Sequence, residues 1–127
     1  MGNGLTGFSG LLRVTVASMV VGLGLWACAQ TVKLELPRSV NGTARFTLLA
    51  PEAKQVFVVG SFNGWVKGAT PMKAVDASGL WSVDVPLKEG EHTFVYLVDG
   101  VRWVTPPLAE DFVTDGFGQT NGVVIVQ

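Results

Sequence analysis

From residue 30 onward, apolar and polar positions alternate in short runs separated by turn-forming residues, the pattern of an all-β chain. Residues 31–36 set Val32, Leu34 and Leu36 against Lys33 and Glu35 and are stopped by Pro37, which predicts an edge strand or a lead-in tether. Residues 43–49 alternate through Phe46 and Leu48, and Pro51-Glu52-Ala53 then turns the chain into 54–59, so these two strands are expected to form a hairpin. The run ends in Gly60-Ser61-Phe62-Asn63-Gly64-Trp65, where Asn63-Gly64 predicts a sharp turn with Trp65 just beyond it. Residues 67–74 read as a loop with a short extended piece. Asp76-Ala77-Ser78-Gly79 is a turn, and in 80–85 the residues Trp81, Val83 and Val85 share a face, which makes Trp81 a core residue.

Residues 91–98 are apolar on both faces, as in a central strand, and Asp99-Gly100 predicts a tight turn into 101–104. The segment 105–120 reads as a loop, and 123–126 is a final strand. About seven or eight short strands with no helical periodicity predict an all-β, immunoglobulin-like sandwich of two sheets, with a closed barrel as the alternative.

The N-terminal block departs from this pattern. Residues 14–29 are uncharged and mostly apolar, and shorter than the ~20 residues of a membrane-spanning helix. They predict an export signal over 1–29. Ala27-Cys28-Ala29 fits cleavage before Gln30, and Leu25-Trp26-Ala27-Cys28 resembles a bacterial lipobox in which Cys28 carries the lipid; an uncleaved anchor is the third possibility. Residues 30–42 then form a lead-in and 43–127 the domain. The expected location is exported, either lipid-anchored in the cell envelope or free in the periplasm or outside the cell. Membrane attachment runs only through this segment.

Charge narrows the function. The net charge is −1 with 15% charged residues and no Lys/Arg cluster, so the electrostatic footprint of a nucleic-acid binder is missing. Cys28 is the single cysteine, which leaves the domain without disulfides, cysteine metal sites or cysteine nucleophiles. His92 begins a strand with no nucleophile beside it and reads as a residue satisfying a turn. Glu110, Asp111 and Asp115 share one loop, where carboxylates often bond their own backbone or remain solvated, and match neither a glycosidase pair nor a calcium loop. No enzyme activity, metal or cofactor is expected. Trp65 and Trp103 both follow tight turns, and two indole faces presented this way suit either the C–H faces of a sugar or the plugging of a core end.

Five ordered blocks, Val56-Phe57-Val58-Val59-Gly60-Ser61-Phe62-Asn63-Gly64-Trp65, Gly90-Glu91-His92, Tyr96-Leu97-Val98-Asp99-Gly100, Trp103, and Asn121 before an aliphatic strand, resemble the glycogen-binding domain of AMP-activated protein kinase β subunits. The same module, carbohydrate-binding module family 48, is the early-set (E-set) domain at the N-terminus of isoamylases and branching enzymes. The resemblance spans roughly residues 43–127. It implies an immunoglobulin-like sandwich in which Trp65 and Trp103 stack on an α-1,4-glucan. It also implies polar contacts from Asn121 and Gln119, and an apolar contact from Phe117. Sugar-binding members carry a lysine where this chain has Val95, a role that Lys67 of the neighbouring loop can take, and their Asp-Pro is altered here to Thr105-Pro106. The implied function is non-catalytic, weak binding of an α-glucan polysaccharide (glycogen, starch or maltooligosaccharide). The alternative is a structural or protein-interaction module of the envelope that has lost the sugar and whose partner is another envelope protein.

Overall fold

The computed structural model describes residues 34–127. The expected signal segment 1–29, with Cys28, and the first part of the lead-in lie outside the described residues.

Among the described residues, nine strands form two antiparallel sheets packed as a sandwich. They are β1 (Arg38–Val40), β2 (Thr43–Leu49), β3 (Val56–Gly60), β4 (Lys73–Ala74), β5 (Leu80–Pro86), β6 (Gly90–Val98), β7 (Arg102–Val104), β8 (Asp111–Thr114) and β9 (Thr120–Val126). One sheet runs β1-β2-β5-β4 and the other β3-β6-β9-β8, with β7 added on β6. The alternation read in the sequence has a direct consequence here. Ala44, Phe46 and Leu48 of β2 face Val56 and Val58 of β3 and Phe94, Tyr96 and Val98 of β6, and Trp81, Val83 and Val85 pack against this cluster from β5. Phe46 meets Phe94 edge-on at 4.8 Å and stacks on Phe62 at 5.5 Å. Tyr96 ties the sheets together, its buried hydroxyl donating to Thr47 O of the opposite sheet at 3.0 Å. Burial pushes its pKa well above the ordinary phenol value. Trp81 Nε1 donates to Ala50 O at 3.0 Å, which confirms it as a core residue with a satisfied polar edge.

Three expectations change and one pair of alternatives narrows to one. The hairpin expected between β2 and β3 does not exist: β2 pairs with β1 and β5, and β3 pairs with β6. The turn at Pro51 carries the chain across the sandwich, since Val56 and Val58 bury one face of β3 against the side chains of β2. Of the two alternatives for the run 31–36, its described residues 34–36 are not a strand and fit the lead-in tether. The edge strand follows Pro37 and joins β2 through Asn41-Gly42, both at positive φ. The loop predicted over 105–120 contains β8, and the last strand starts at Thr120 rather than residue 123.

Asp99 holds the start of β3. Its Oδ1 accepts from Lys54 N at 2.7 Å and Gln55 N at 3.0 Å. The hydrogen bond from Gln55, then that from Lys54, holds the carboxyl below its ordinary pKa. Stability from this group is complete above the unfolded value and is lost as pH falls through the lower, folded one. Asp99→Asn is therefore expected to flatten the acid-side fall in Tm below about pH 4; an acid limb unchanged from the parent would refute this. Tyr96→Phe, which strands Thr47 O, is expected to cost about 1 kcal/mol, or roughly 4–8 °C in Tm, measured by thermal unfolding.

Candidate functional site

The outer face of the five-stranded sheet departs from the polar surface expected of a solvated sheet. Phe57, Val59, Val95 and Leu97 form a second apolar cluster on it, and Val95 is only 2% exposed. Register fixes their order across the strands. Phe57 and Trp103 both stand opposite Leu97, and Val59 stands opposite Val95. Strand β7 pairs with residues 96–98 of β6 and β9 with residues 90–94, so the two lie end to end along one edge of β6 and leave Val95 at the gap between them. Thr105 Oγ1 donates to Thr120 O at 3.0 Å and joins the exit of β7 to the entrance of β9.

The loop after β3 closes the opposite edge. Five successive outward groups of β3 find partners in it. Met72 N donates to Val56 O and Val58 N to Thr70 O; Asn63 takes Val58 O and Gly60 N; Trp65 N donates to Gly60 O. An edge that could have recruited another strand is thereby satisfied within the chain. The Asn63 amide is the centre of this arrangement, with its Oδ1 3.0 Å from Gly60 N and its Nδ2 3.0 Å from both Val58 O and Thr70 Oγ1. Gly60 must be glycine, because a Cβ there would lie 2.4 Å from Thr93 O. Gly68 then passes over the outer face, its Cβ position 3.9 Å from the Phe57 ring.

The turn differs in one respect from the sequence expectation. The two left-handed residues are Gly64 at φ 67° and Trp65 at φ 61°, not Asn63 and Gly64. A tryptophan in this conformation is held against its steric preference, by roughly 1–2 kcal/mol. Its side chain remains 43% exposed and that of Trp103 41%, so neither indole is a core plug. Lys67, two residues after Trp65, brings Nζ to 5.4 Å from the centroid of the Trp103 ring. The loop and β7 therefore meet over the apolar cluster.

The remaining predicted residues divide. Asn121 lies inside β9, not in the loop before it, and is paired with Val113 of β8. It is 5% exposed, and its Oδ1 has no hydrogen-bond partner among the described residues. Gln119 donates its side chain to Thr120 O at 3.1 Å and Thr105 Oγ1 at 3.4 Å, which fixes it beside the β7 exit. Phe117 is 99% exposed at the tip of a turn held by Asp115 Oδ1, which accepts from Phe117 N and Gln119 N. Asp111, which lies in β8 and not in a loop, accepts from its neighbour Phe112 N, and Glu110 accepts from Ile125 N of β9 and not from its own loop. His92 Nε2 lies 2.7 Å from Lys88 O, satisfying its turn. The sequence reading missed Thr70 and Thr105, whose hydroxyls tie the site together and carry no motif of their own.

A left-handed Trp65 makes a direct prediction about stability. Glycine tolerates φ 61° and alanine does not, so Trp65→Gly is expected to be more stable than Trp65→Ala by about 1 kcal/mol in denaturant unfolding. The reverse order would contradict the backbone assignment.

Comparison with known proteins bears on this face. A family model described as the glycogen recognition site of AMP-activated protein kinase matches residues 45–127. A 1,4-alpha-glucan branching enzyme of Picrophilus torridus is 35% identical over 96 residues, covering 72% of this chain and 13% of that enzyme. Branching enzymes of Pseudomonas syringae pv. tomato (37% over 70 residues; 54% of this chain, 9% of the enzyme) and Corynebacterium glutamicum (48% over 54 residues; 42% and 7%) are similar in the same way. The chain thus spans about a tenth of the length of these curated relatives. With the matched segment running from β2 to the C-terminus and including every residue of the face described above, the chain belongs to the glycogen-recognition family of carbohydrate-binding domains, carbohydrate-binding module family 48.

Proposed function

We propose that this protein is a non-catalytic module that binds α-glucan weakly on the outer face of the five-stranded sheet, through the indoles of Trp65 and Trp103. The observation that carries this reading is the pairing of two half-exposed tryptophans, one strained and one stacked under Lys67, above an apolar patch that no solvated sheet requires. An indole face buries the C–H face of a pyranose while the sugar hydroxyls stay free for polar groups. Lys67 and the Gln119 carbonyl supply such groups, and Phe117 extends the apolar contact, whereas Asn121 Oδ1 is sealed inside β9 and reaches a sugar only if that strand shifts. Family membership and the similarity to 1,4-alpha-glucan branching enzymes favour this polymer over other sugars. The strand orders β1-β2-β5-β4 and β3-β6-β9 correspond to the ABED and CFG sheets of an immunoglobulin constant-type domain, which supports reading the sandwich as an early-set fold. Export, with or without a lipid on Cys28, remains our proposal from residues 1–29 alone.

One observation favours a second reading. Val95, at the position where sugar-binding members carry lysine, is buried at the gap between β7 and β9, so that contact is lost. A charged hydrogen bond of about 1.5–3 kcal/mol corresponds to roughly tenfold to a hundredfold in affinity, enough to leave a structural or protein-binding module of the envelope. Affinity electrophoresis of the full chain through glycogen- or amylopectin-containing gels separates the two. We expect retardation that Trp65→Ala and Trp103→Ala each abolish and Val95→Lys increases. Unretarded migration of the folded parent would support the second reading.

A further inference from the structure

The two edges of the five-stranded sheet are treated differently. The edge of β3 is closed by its own loop, whereas β8, at the other edge, has all four residues exposed. Ser39 Oγ of β1 donates to Ile125 O, which points to the same side of β9 as Ile125 N, so β1 comes alongside the end of β9 and residues 111–114 of β8 pair with β9 alone. Its inner-face residue Phe112, opposite Gly122, is 43% exposed, and its outer-face residue Val113, opposite Asn121, is 42% exposed.

The direction of its backbone groups follows from β9. Ile125 N donates to Glu110 Oε2, toward the β8 side, so by alternation Val123 and Asn121 also point there and pair with Asp111 and Val113. The N–H groups of Phe112 and Thr114 therefore point away from the sheet. Among the described residues, that of Phe112 is covered only by the Asp111 carboxylate, at 2.8 Å.

Charge supplies the rest. Residues 105–127 contain Glu110, Asp111 and Asp115 and no lysine or arginine. Antiparallel pairing of two copies through 111–114 would oppose Glu110 of one to Asp115 of the other, a like-charge contact that disfavours self-association. We propose that the free edge of β8 is a docking site for an extended basic peptide strand. Its lysines or arginines lie on the outer face against Asp111, and its alternate apolar residues lie on the inner face against Phe112. Main-chain hydrogen bonds to Phe112 and Thr114 give the binding, and the acidic rim gives the selectivity. This site is separate from Trp65 and Trp103 and does not depend on sugar binding.

The test is an amide-shift NMR titration of the full chain with the blocked hexapeptide Lys-Val-Lys-Val-Lys-Val, with Glu-Val-Glu-Val-Glu-Val as the control. Shifts confined to residues 108–117, seen with the lysine peptide alone and kept in Trp65→Ala, are expected. The double variant Glu110→Gln, Asp111→Asn is expected to weaken binding by several-fold to about tenfold. Thr114→Pro, which removes an outward N–H and leaves β9 pairing intact, is expected to abolish it. Should that variant fail to fold, the charge variants and the peptide pair still decide. Equal response to both peptides, shifts elsewhere, none at all, or undiminished binding in the charge variants would overturn the proposal.

Discussion

The amide of Asn63 is the constraint on which the candidate site depends. One side chain takes a donor and an acceptor from the open edge of β3 and adds the hydroxyl of Thr70, doing for that edge what a further strand would do. Asn63 closes the 3-10 turn Ser61–Asn63, so its own backbone is right-handed and does not supply the left-handed turn. That demand moves to Gly64 and Trp65. The strain at Trp65 is thus the local consequence of closing an edge, and its half-exposed indole is the product. Residues held in such conformations persist only where the surroundings over-determine them, and here the surroundings are three hydrogen bonds and a strand.

The same closure links packing to function. With the loop fixed along β3, Gly68 lies over Phe57, and Lys67 reaches the ring of Trp103 on the far side of β6. The cation above the indole contributes about 0.5–1 kcal/mol at an exposed site, which is small against folding but sufficient to bias a loop. Beneath them, the buried Val59, Val95 and Leu97 form an apolar floor, so a sugar ring laid across the indoles would displace solvent from the indole faces alone. The sandwich core on the other side, pinned by the hydroxyl of Tyr96, gives that face a rigid floor.

Much of this was legible in the sequence, and the exceptions have physical causes. Strands with one buried face announced themselves by alternation, as in 43–49 and 80–85, and β6 did so by being apolar on both. The β2–β3 connection was misread because Pro51-Glu52-Ala53 specifies a turn but not whether the chain returns to its own sheet or crosses to the other. Strand β8 was invisible: it buries neither face, so it has no hydrophobic period, and its pairing with β9 holds it in place. At the site, the tryptophans could be named from turn chemistry and resemblance, whereas the burial of Asn121 could not. Its place inside β9 follows from how far the last strand extends, a boundary that composition does not mark.

The claim that Trp65 and Trp103 together form the sugar-binding face is tested most directly by intermolecular nuclear Overhauser effects between the protein and maltoheptaose. The account predicts contacts from the glucose C–H protons to the indole protons of Trp65 and Trp103 in the same complex, and none to Trp81, whose indole is bonded into the core. A bound maltoheptaose that contacts neither exposed indole, or only one of them, would contradict it.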